Sequence, residues 1–206
     1  MTLCLDYKDI NLANIVYKNP MKKESIIFYN NKSNIGSLLI TSPLLKVKSH
    51  LDNSIIFEIS KNNLDFINFI KNLDDLNISN CYYNSKEWFK KEISLEIIQN
   101  YYRSPINKDS FEIQLELPMN SQNVLDLDYI LDENNEYISI LNLKEDDIVS
   151  LRIKYVGIKF STKTFKPTIN IKSIKKHNIL DDGDDNLYND SDSDVYNSSD
   201  DEFNSE

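Results

Sequence analysis

The stretch from Val149 to Ile174 constrains the fold of this 206-residue chain more than any other part of its sequence. Apolar and basic residues alternate along it, as in a strand with one buried face and one outward face. The alternation shifts by one residue at Gly157, so a straight strand would turn Ile158 and Phe160 onto the basic face. A β-bulge at Gly157 restores the pattern, because glycine tolerates the required dihedral angles. An ordinary turn at Gly157 is the alternative.

A second strand follows after a turn over residues 161–164, and it continues the same pattern. Its apolar residues face one way and its polar or basic residues face the other. The apolar set is Phe165, Pro167, Ile169 and Ile171, and the outward set is Lys166, Thr168, Asn170 and Lys172. The two strands therefore predict a curved hairpin with one basic side, and such curvature is what a small closed barrel requires.

Other strand patterns precede this hairpin, and two helical patterns interrupt them. Strands are expected near residues 26–29, 37–40, 44–47, 55–60, 111–117 and 137–143. The first helix begins after Asn63, where apolar residues follow at a spacing near 3.6. The second is capped by Ser94 and ends before Pro105. The sequence thus predicts a β-rich α+β fold, with an antiparallel sheet and two accessory helices.

The net charge of -10 is distributed unevenly along the chain. Residues 181–206 contain eleven acidic residues and no Lys or Arg, so the rest of the chain carries 22 acidic and 23 basic residues. Residues 148–180 contain eight basic residues and no acidic one. Such a run is either a solvated sheet face or a surface for phosphate, because nucleic-acid binding needs local positive charge.

Composition divides the chain into an N-terminal arm at 1–20, a folded domain at 21–180 and an acidic tail at 181–206. The tail is rich in Asp, Ser and Asn, so it cannot offset the entropy of ordering and we expect it to be disordered. It either keeps the protein soluble or imitates phosphate, covering the basic side until nucleic acid displaces it. Ser191, Ser198 and Ser199 each precede an acid by three residues and are candidate phosphorylation sites.

The sequence lacks the marks of an enzyme, a metal site or a membrane span. Cys4 and Cys81 are isolated, His50 and His177 are the only histidines, and no phosphate-binding or nucleophile motif is found. We therefore expect no catalytic activity, no metal and no cofactor. Without an apolar run of membrane length or a signal peptide, we expect a soluble intracellular protein with no membrane partner.

The basic hairpin supplies the candidate binding residues. A groove for single-stranded nucleic acid combines cations that follow the phosphates with aromatic rings on which bases stack. Phe165 is the candidate stacking ring because it lies at the hairpin tip, whereas the phase of the strand assigns Tyr155 and Phe160 to the core. The candidate phosphate contacts are Arg152, Lys154, Lys159, Lys163, Lys166 and Lys172.

Four short motifs carry a resemblance that extends over residues 82–206. They are Ser85-Lys-Glu-Trp-Phe89, Ser94-Leu-Glu-Ile97, Tyr102-Arg-Ser-Pro105 and the stretch from Asp147 to Phe160. This arrangement resembles single-stranded DNA-binding-like proteins of the OB-fold type from nucleocytoplasmic large DNA viruses. The layout, a basic barrel followed by an acidic tail with an aromatic residue near its end, is also similar to the single-stranded DNA-binding proteins of bacteria and phages. The second strand departs from the viral pattern, which is Gly-containing and Trp-rich there.

This resemblance implies an OB-like antiparallel barrel that binds single-stranded DNA without sequence specificity. It also implies a role in viral DNA replication, in the host cytoplasm if the protein is viral, with replication proteins as partners of the tail. RNA remains an alternative ligand, because OB surfaces accept both nucleic acids. The other alternative is a non-enzymatic protein-interaction or virion-associated protein whose acidic tail is regulatory. The oligomeric state is not predicted.

Overall fold

The structure is a computed structural model, and it describes residues 2–21, 24–31, 34–107, 109–122, 124–161 and 164–178. Lys163 and the tail at 181–206, which the sequence singles out, lie outside the described residues. No α-helix in the described part of the chain is long and apolar enough to cross a membrane.

The first part of the chain forms four strands of the sheet. The second and fourth strands pair antiparallel with the third, and the first pairs parallel with the fourth. In chain order they are β1 (Thr2–Asp6), β2 (Ile15–Tyr17), β3 (Glu24–Asn31) and β4 (Asn34–Thr41). Residues 2–17, which were predicted to belong to an N-terminal arm, are therefore integrated into the folded domain.

The N-terminal segment is held to the domain by burial as well as by strand pairing. Tyr7, Ile10 and Ile15 are buried in the main hydrophobic core. Two short 3-10 turns, with side-chain caps from Asp6 and Asn11, separate β1 from β2. Because these turns interrupt the period of two that marks a strand, the apolar residues of this segment show no regular pattern in the sequence.

The remaining elements follow in one series. They are β5 (Leu45–Leu51), β6 (Ser54–Ile59), α1 (Leu64–Tyr83), α2 (Ser85–Phe89), α3 (Leu95–Tyr101), β7 (Ile106–Asn107), β8 (Glu112–Glu116), β9 (Tyr129–Leu131), β10 (Ile148–Phe160) and β11 (Phe165–His177). The helix that Ser94 was predicted to cap is α3, where the Ser94 hydroxyl accepts a hydrogen bond from the Ile97 N–H at 3.4 Å.

Five of these strands close into a barrel in the order β5, β6, β8, β11, β10 and back to β5. Each neighbouring pair is antiparallel except β8 and β11, so the barrel is mixed. The predicted β-rich α+β class with an OB-like barrel is confirmed. The short helix α2 adds to the two predicted accessory helices.

The long hairpin of β10 and β11 contains the predicted bulge. Tyr155 pairs with Ile169 and Gly157 pairs with Thr168, so Val156 is the extra residue. Gly157 has φ 147°, a region that favours glycine. The bulge is therefore confirmed over the alternative of an ordinary turn. The bend lets one strand serve two buried clusters, because it turns the last residues of β10 away from the barrel interior.

The second of these clusters lies between the hairpin tip and the short helices. Its buried members are Cys81, Ile98, Tyr102, Ile158 and Phe165. The rings of Trp88 and Phe89 pack edge-on against Phe160, with centroids 6.0 and 5.1 Å away. Burial raises the pKa of the Cys81 thiol to about 12, so this thiol stays protonated at neutral pH.

One predicted strand is wrong. Ile140–Asn142 is a 3-10 turn, and the strand of this region is β9, which lies before the predicted strand at 137–143. Tyr137 and Leu141 are 81 % and 88 % exposed, so their apolar character does not mark a buried face. Pairing with β11 stabilises β9. A strand of three residues is too short to show an alternating pattern that would predict this pairing.

Candidate nucleic-acid interface

Three cationic side chains lie side by side on the outer surface at the hairpin tip. Lys159 on β10 is directly opposite Lys166 on β11. Tyr102 forms a parallel bridge with Phe165, and the Arg103 N–H donates to the Phe165 carbonyl at 2.9 Å, which places Arg103 beside Lys166. Neighbouring strands are about 4.8 Å apart. We call these three exposed residues, Lys159, Lys166 and Arg103, the cation row.

The cation row concentrates positive charge at a place where the fold does not fully neutralise it. Like charges directly opposite on paired strands repel each other and destabilise the pair. Glu116 on β8 forms an ion pair with Lys166. Among the side chains that the structure describes, Lys159 and Arg103 form no ion pair. The row is therefore a surface on which a bound anion would relieve repulsion.

Arg103 is fixed at the end of α3 by its own hydrogen bonds. Its Nη1 donates to the carbonyl oxygens of Asn100 and Tyr102, each at 2.9 Å. Its Nη2 and Nε donate to no described residue, and a guanidinium carries five N–H donors. Arg103 is thus both oriented and able to bind an incoming oxygen ligand.

Both chain neighbours of Arg103 are anchored to one buried carboxylate on α1. The Tyr102 hydroxyl donates to Asp74 Oδ1 at 2.6 Å, and the Ser104 hydroxyl donates to Asp74 Oδ2 at 2.6 Å. Asp74 is buried, and charge-assisted hydrogen bonds of this length are the stronger kind. Through Asp74, helix α1 therefore fixes the position of Arg103 on the surface.

The hydrogen-bond network continues from Asp74 into the barrel. The Asn77 carbonyl oxygen accepts from the Tyr17 and Tyr155 hydroxyls at 2.6 and 2.5 Å, and its amide donates to Tyr102 at 3.0 Å. Burial is the main cause that raises the pKa of all three tyrosines, so their hydroxyls remain donors at neutral pH. The network joins β2, α1, β10 and the segment that carries Arg103.

A cleft of about 310 Å³ opens beside the cation row. Its lining combines the apolar Pro105, Pro167 and Ile169 with the polar Gln114, Glu116 and Lys166. A second cleft of about 300 Å³ shares Gln114 and Glu116 and reaches Asn53 in the turn between β5 and β6. Together the clefts follow the outer face of β8, from that turn to the cation row.

The other predicted phosphate contacts lie away from this row. Arg152 is half-buried, and its Nη1 donates to the Tyr129 hydroxyl on β9 at 3.1 Å. Lys154 is half-buried and forms no ion pair with described side chains. Lys172 is held by Asp126 and Asp128 at 3.6 and 3.9 Å. The structure therefore brings Lys159 and Lys166 together and separates them from the rest.

The structure buries most of the ring of Phe165, the predicted stacking residue. The ring is only 9 % exposed and packs edge-on against Tyr102, with centroids 5.3 Å apart. The alternation of the strand already assigned Phe165 to the inward-facing set. Although it lies at the hairpin tip, its ring is covered because α3 packs against it.

Sequence reasoning did not include Arg103, Gln114 and Glu116 in the site. The alternation of 111–117 marked Gln114 and Glu116 as outward-facing, but it did not show what lies opposite them. Within the described residues, no group of three or more His, Cys, Asp or Glu side chains is placed to hold a metal ion.

Comparison with known families gives one match. The model of a "Family of unknown function (DUF5871)" matches residues 44–190. No curated protein matches the chain.

Several solved structures are similar in their chain path. The single-stranded DNA-binding protein gp2.5 of bacteriophage T7 is 10 % identical, with 74 % of this chain and 98 % of that chain covered and a TM-score of 0.48. The single-stranded DNA-binding protein of bacteriophage Enc34 is 15 % identical, with coverage of 86 % and 97 % and a TM-score of 0.45. Its complex with single-stranded DNA gives 14 % identity, coverage of 80 % and 96 %, and a TM-score of 0.42. Because these TM-scores are below 0.5, they carry no conclusion about this chain.

Proposed function

The chain belongs to the Family of unknown function DUF5871, and we propose that it binds single-stranded DNA without strong sequence preference. The observation that carries this proposal is the cation row, in which Lys159, Lys166 and Arg103 are held across neighbouring strands by backbone pairing. Flexible single strands bind to grooves where such cations follow the phosphates. The clefts along β8 suit separate bases, whereas the bases of a duplex are stacked inside it.

The remaining predicted contacts and the tail complete the proposal. Arg152, Lys154, Lys163 and Lys172 would extend the phosphate path beyond the row. The tail, with eleven acidic residues and no basic one, would compete with DNA for these cations and, once displaced, recruit replication proteins. A role in viral DNA replication is supported by the resemblance of the motifs.

The test is a titration of a fluorescent thymine oligonucleotide at several salt concentrations, with the full chain and with a chain that ends at Leu180. We expect the logarithm of the affinity to fall with the logarithm of the salt concentration by about 0.7 for each phosphate contacted. We expect truncation to strengthen binding. Competition with a matched RNA oligonucleotide distinguishes the two nucleic acids. Absence of binding by both forms contradicts the proposal and favours the protein-interaction alternative.

Tyr101 is a further stacking candidate, because its ring is exposed whereas that of Phe165 is buried. It is 47 % exposed and lies two residues before Arg103. We expect Tyr101→Ala to weaken oligonucleotide binding about tenfold, since one stacked base contributes roughly 1–3 kcal/mol. We expect Phe165→Leu, the control, to lower the free energy of unfolding by about 1 kcal/mol and to leave affinity within about twofold. Anisotropy titration and urea denaturation measure the two quantities, and the reverse outcome would restore Phe165 as the stacking ring.

A further inference from the structure

The cleft beside the cation row has the properties of a binding site for one base of the strand. We infer that it holds a single nucleobase and that Glu116 makes it favour guanine. This inference rests on the proposed function, because the row must first bind the phosphates of the same strand.

The size and lining of the cleft fit one base. A volume of about 310 Å³ is near the lower end of the range for ligand clefts, so it suits a small planar ligand such as one base. The half-buried Pro105 offers apolar surface to the face of a ring, and the buried Pro167 and Ile169 add a few apolar atoms to the lining. Lys166 and Arg103 belong to both the row and the cleft lining, so a phosphate on the row places its own base at the opening.

The polar groups of the cleft include two hydrogen-bond acceptors. The Gln114 amide donates from Nε2 to the Ser54 hydroxyl at 2.9 Å, which leaves its carbonyl oxygen as an acceptor. The Glu116 carboxylate has acceptors alone, and its side chain is 46 % exposed. When Lys166 turns from Glu116 to a phosphate, the carboxylate loses its partner inside the protein and becomes available to N–H donors of a base.

Guanine is the base that presents two neighbouring N–H donors, at N1 and N2, and these match the two oxygens of a carboxylate. In adenine and cytosine the amino group lies next to a ring nitrogen that repels a carboxylate. In thymine the N3–H lies between two carbonyl oxygens. Hydrogen bonding to the Watson–Crick edge is how proteins distinguish the bases of a single strand. Glu116 therefore selects guanine at one position while the row ignores sequence.

The test uses the full chain and four oligonucleotides of equal length: all thymine, or thymine with one central guanine, adenine or cytosine. We expect the wild-type chain to bind the guanine oligonucleotide about fivefold more tightly than the other three, the size expected for charge-assisted hydrogen bonds at a half-exposed site. We expect Glu116→Gln to remove this preference. The matched control is Glu112→Gln, on the same strand as Glu116, which breaks the ion pair of Glu112 with Lys48 on β5 and should keep the preference.

The outcomes separate this inference from the proposed function. Failure of the wild-type chain to bind any of the four oligonucleotides contradicts the proposed function itself. Equal binding of all four leaves the proposed function intact and overturns the base site. A guanine preference that survives in Glu116→Gln overturns the role of Glu116. If Glu116→Gln raised the affinity for all four oligonucleotides equally, Glu116 would only compete with phosphate for Lys166. That result would also overturn the inference.

Discussion

Reversing the charge of Lys159 and Lys166 together, by Lys159→Glu and Lys166→Glu, should weaken binding of a thymine oligonucleotide about 100-fold. The change removes two phosphate contacts and places two new carboxylates near Glu116, which already reaches this part of the row. The slope of log affinity against log salt should become shallower by about 1.4, or 0.7 for each lost contact. Anisotropy titration of the full chain at several salt concentrations measures both quantities.

The control for this experiment changes the net charge by the same amount at a distance. Lys61 and Lys144 are exposed, and Lys144 precedes the start of β10 whereas Lys159 is near its end. Along a strand of this length the two ends are about 40 Å apart. Lys61→Glu with Lys144→Glu should lower affinity by a small factor and leave the slope almost unchanged. Equal losses in the two double variants would mean that total charge, rather than the cation row, controls binding.

Asn77→Leu should lower the free energy of unfolding by about 3 kcal/mol, because it leaves buried hydroxyls without their shared partner. Asn77 has no exposed surface and contacts Tyr17, Tyr102 and Tyr155. Leucine has the same branched shape and the same number of side-chain heavy atoms, so the substitution leaves no cavity and the loss reports mainly the broken hydrogen bonds. Urea denaturation of the full chain measures it.

Asn80→Leu on the same helix is the matched control. The Asn80 amide donates to the Leu76 carbonyl at 2.9 Å, within α1, so its removal orphans no buried group on another element. We expect the control to cost less than about 1 kcal/mol. Similar losses in both variants would show that replacing Asn by Leu anywhere on this helix, and not the loss of the network, explains the effect.

The hydrophobic pattern of the sequence predicted the hairpin correctly, whereas its charge pattern predicted a larger basic surface than the structure has. Residues 148–180 contain no acid, yet Lys172 contacts Asp126 and Asp128, and Lys176 contacts Asp147 at 3.1 Å. These acids come from the segment before β10, which folds back on the hairpin. Charge counted along the chain therefore overestimated the basic surface, because partners distant in sequence neutralise part of it.

Only the part of the cation row that lies on the β10–β11 hairpin could be predicted from the sequence. Lys159 and Lys166 could be placed on one outward face from alternation alone, since side chains of a strand alternate between its two faces. Arg103 could not be added, because its place beside Lys166 depends on a bridge between residues far apart in the sequence. Glu116 reaches Lys166 from another strand of the barrel, and no local pattern encodes that approach.

By itself the sequence determined the features that depend on near neighbours in the chain. These are the alternation of the β10–β11 hairpin, its bulge at Gly157 and the cap of α3 at Ser94. Only the tertiary structure decided that Arg103 completes the row and that the N-terminal segment belongs to the sheet. The physical reason is that periodicity and capping are local, whereas strand register and core packing are set by contacts between distant segments competing for the same buried surface.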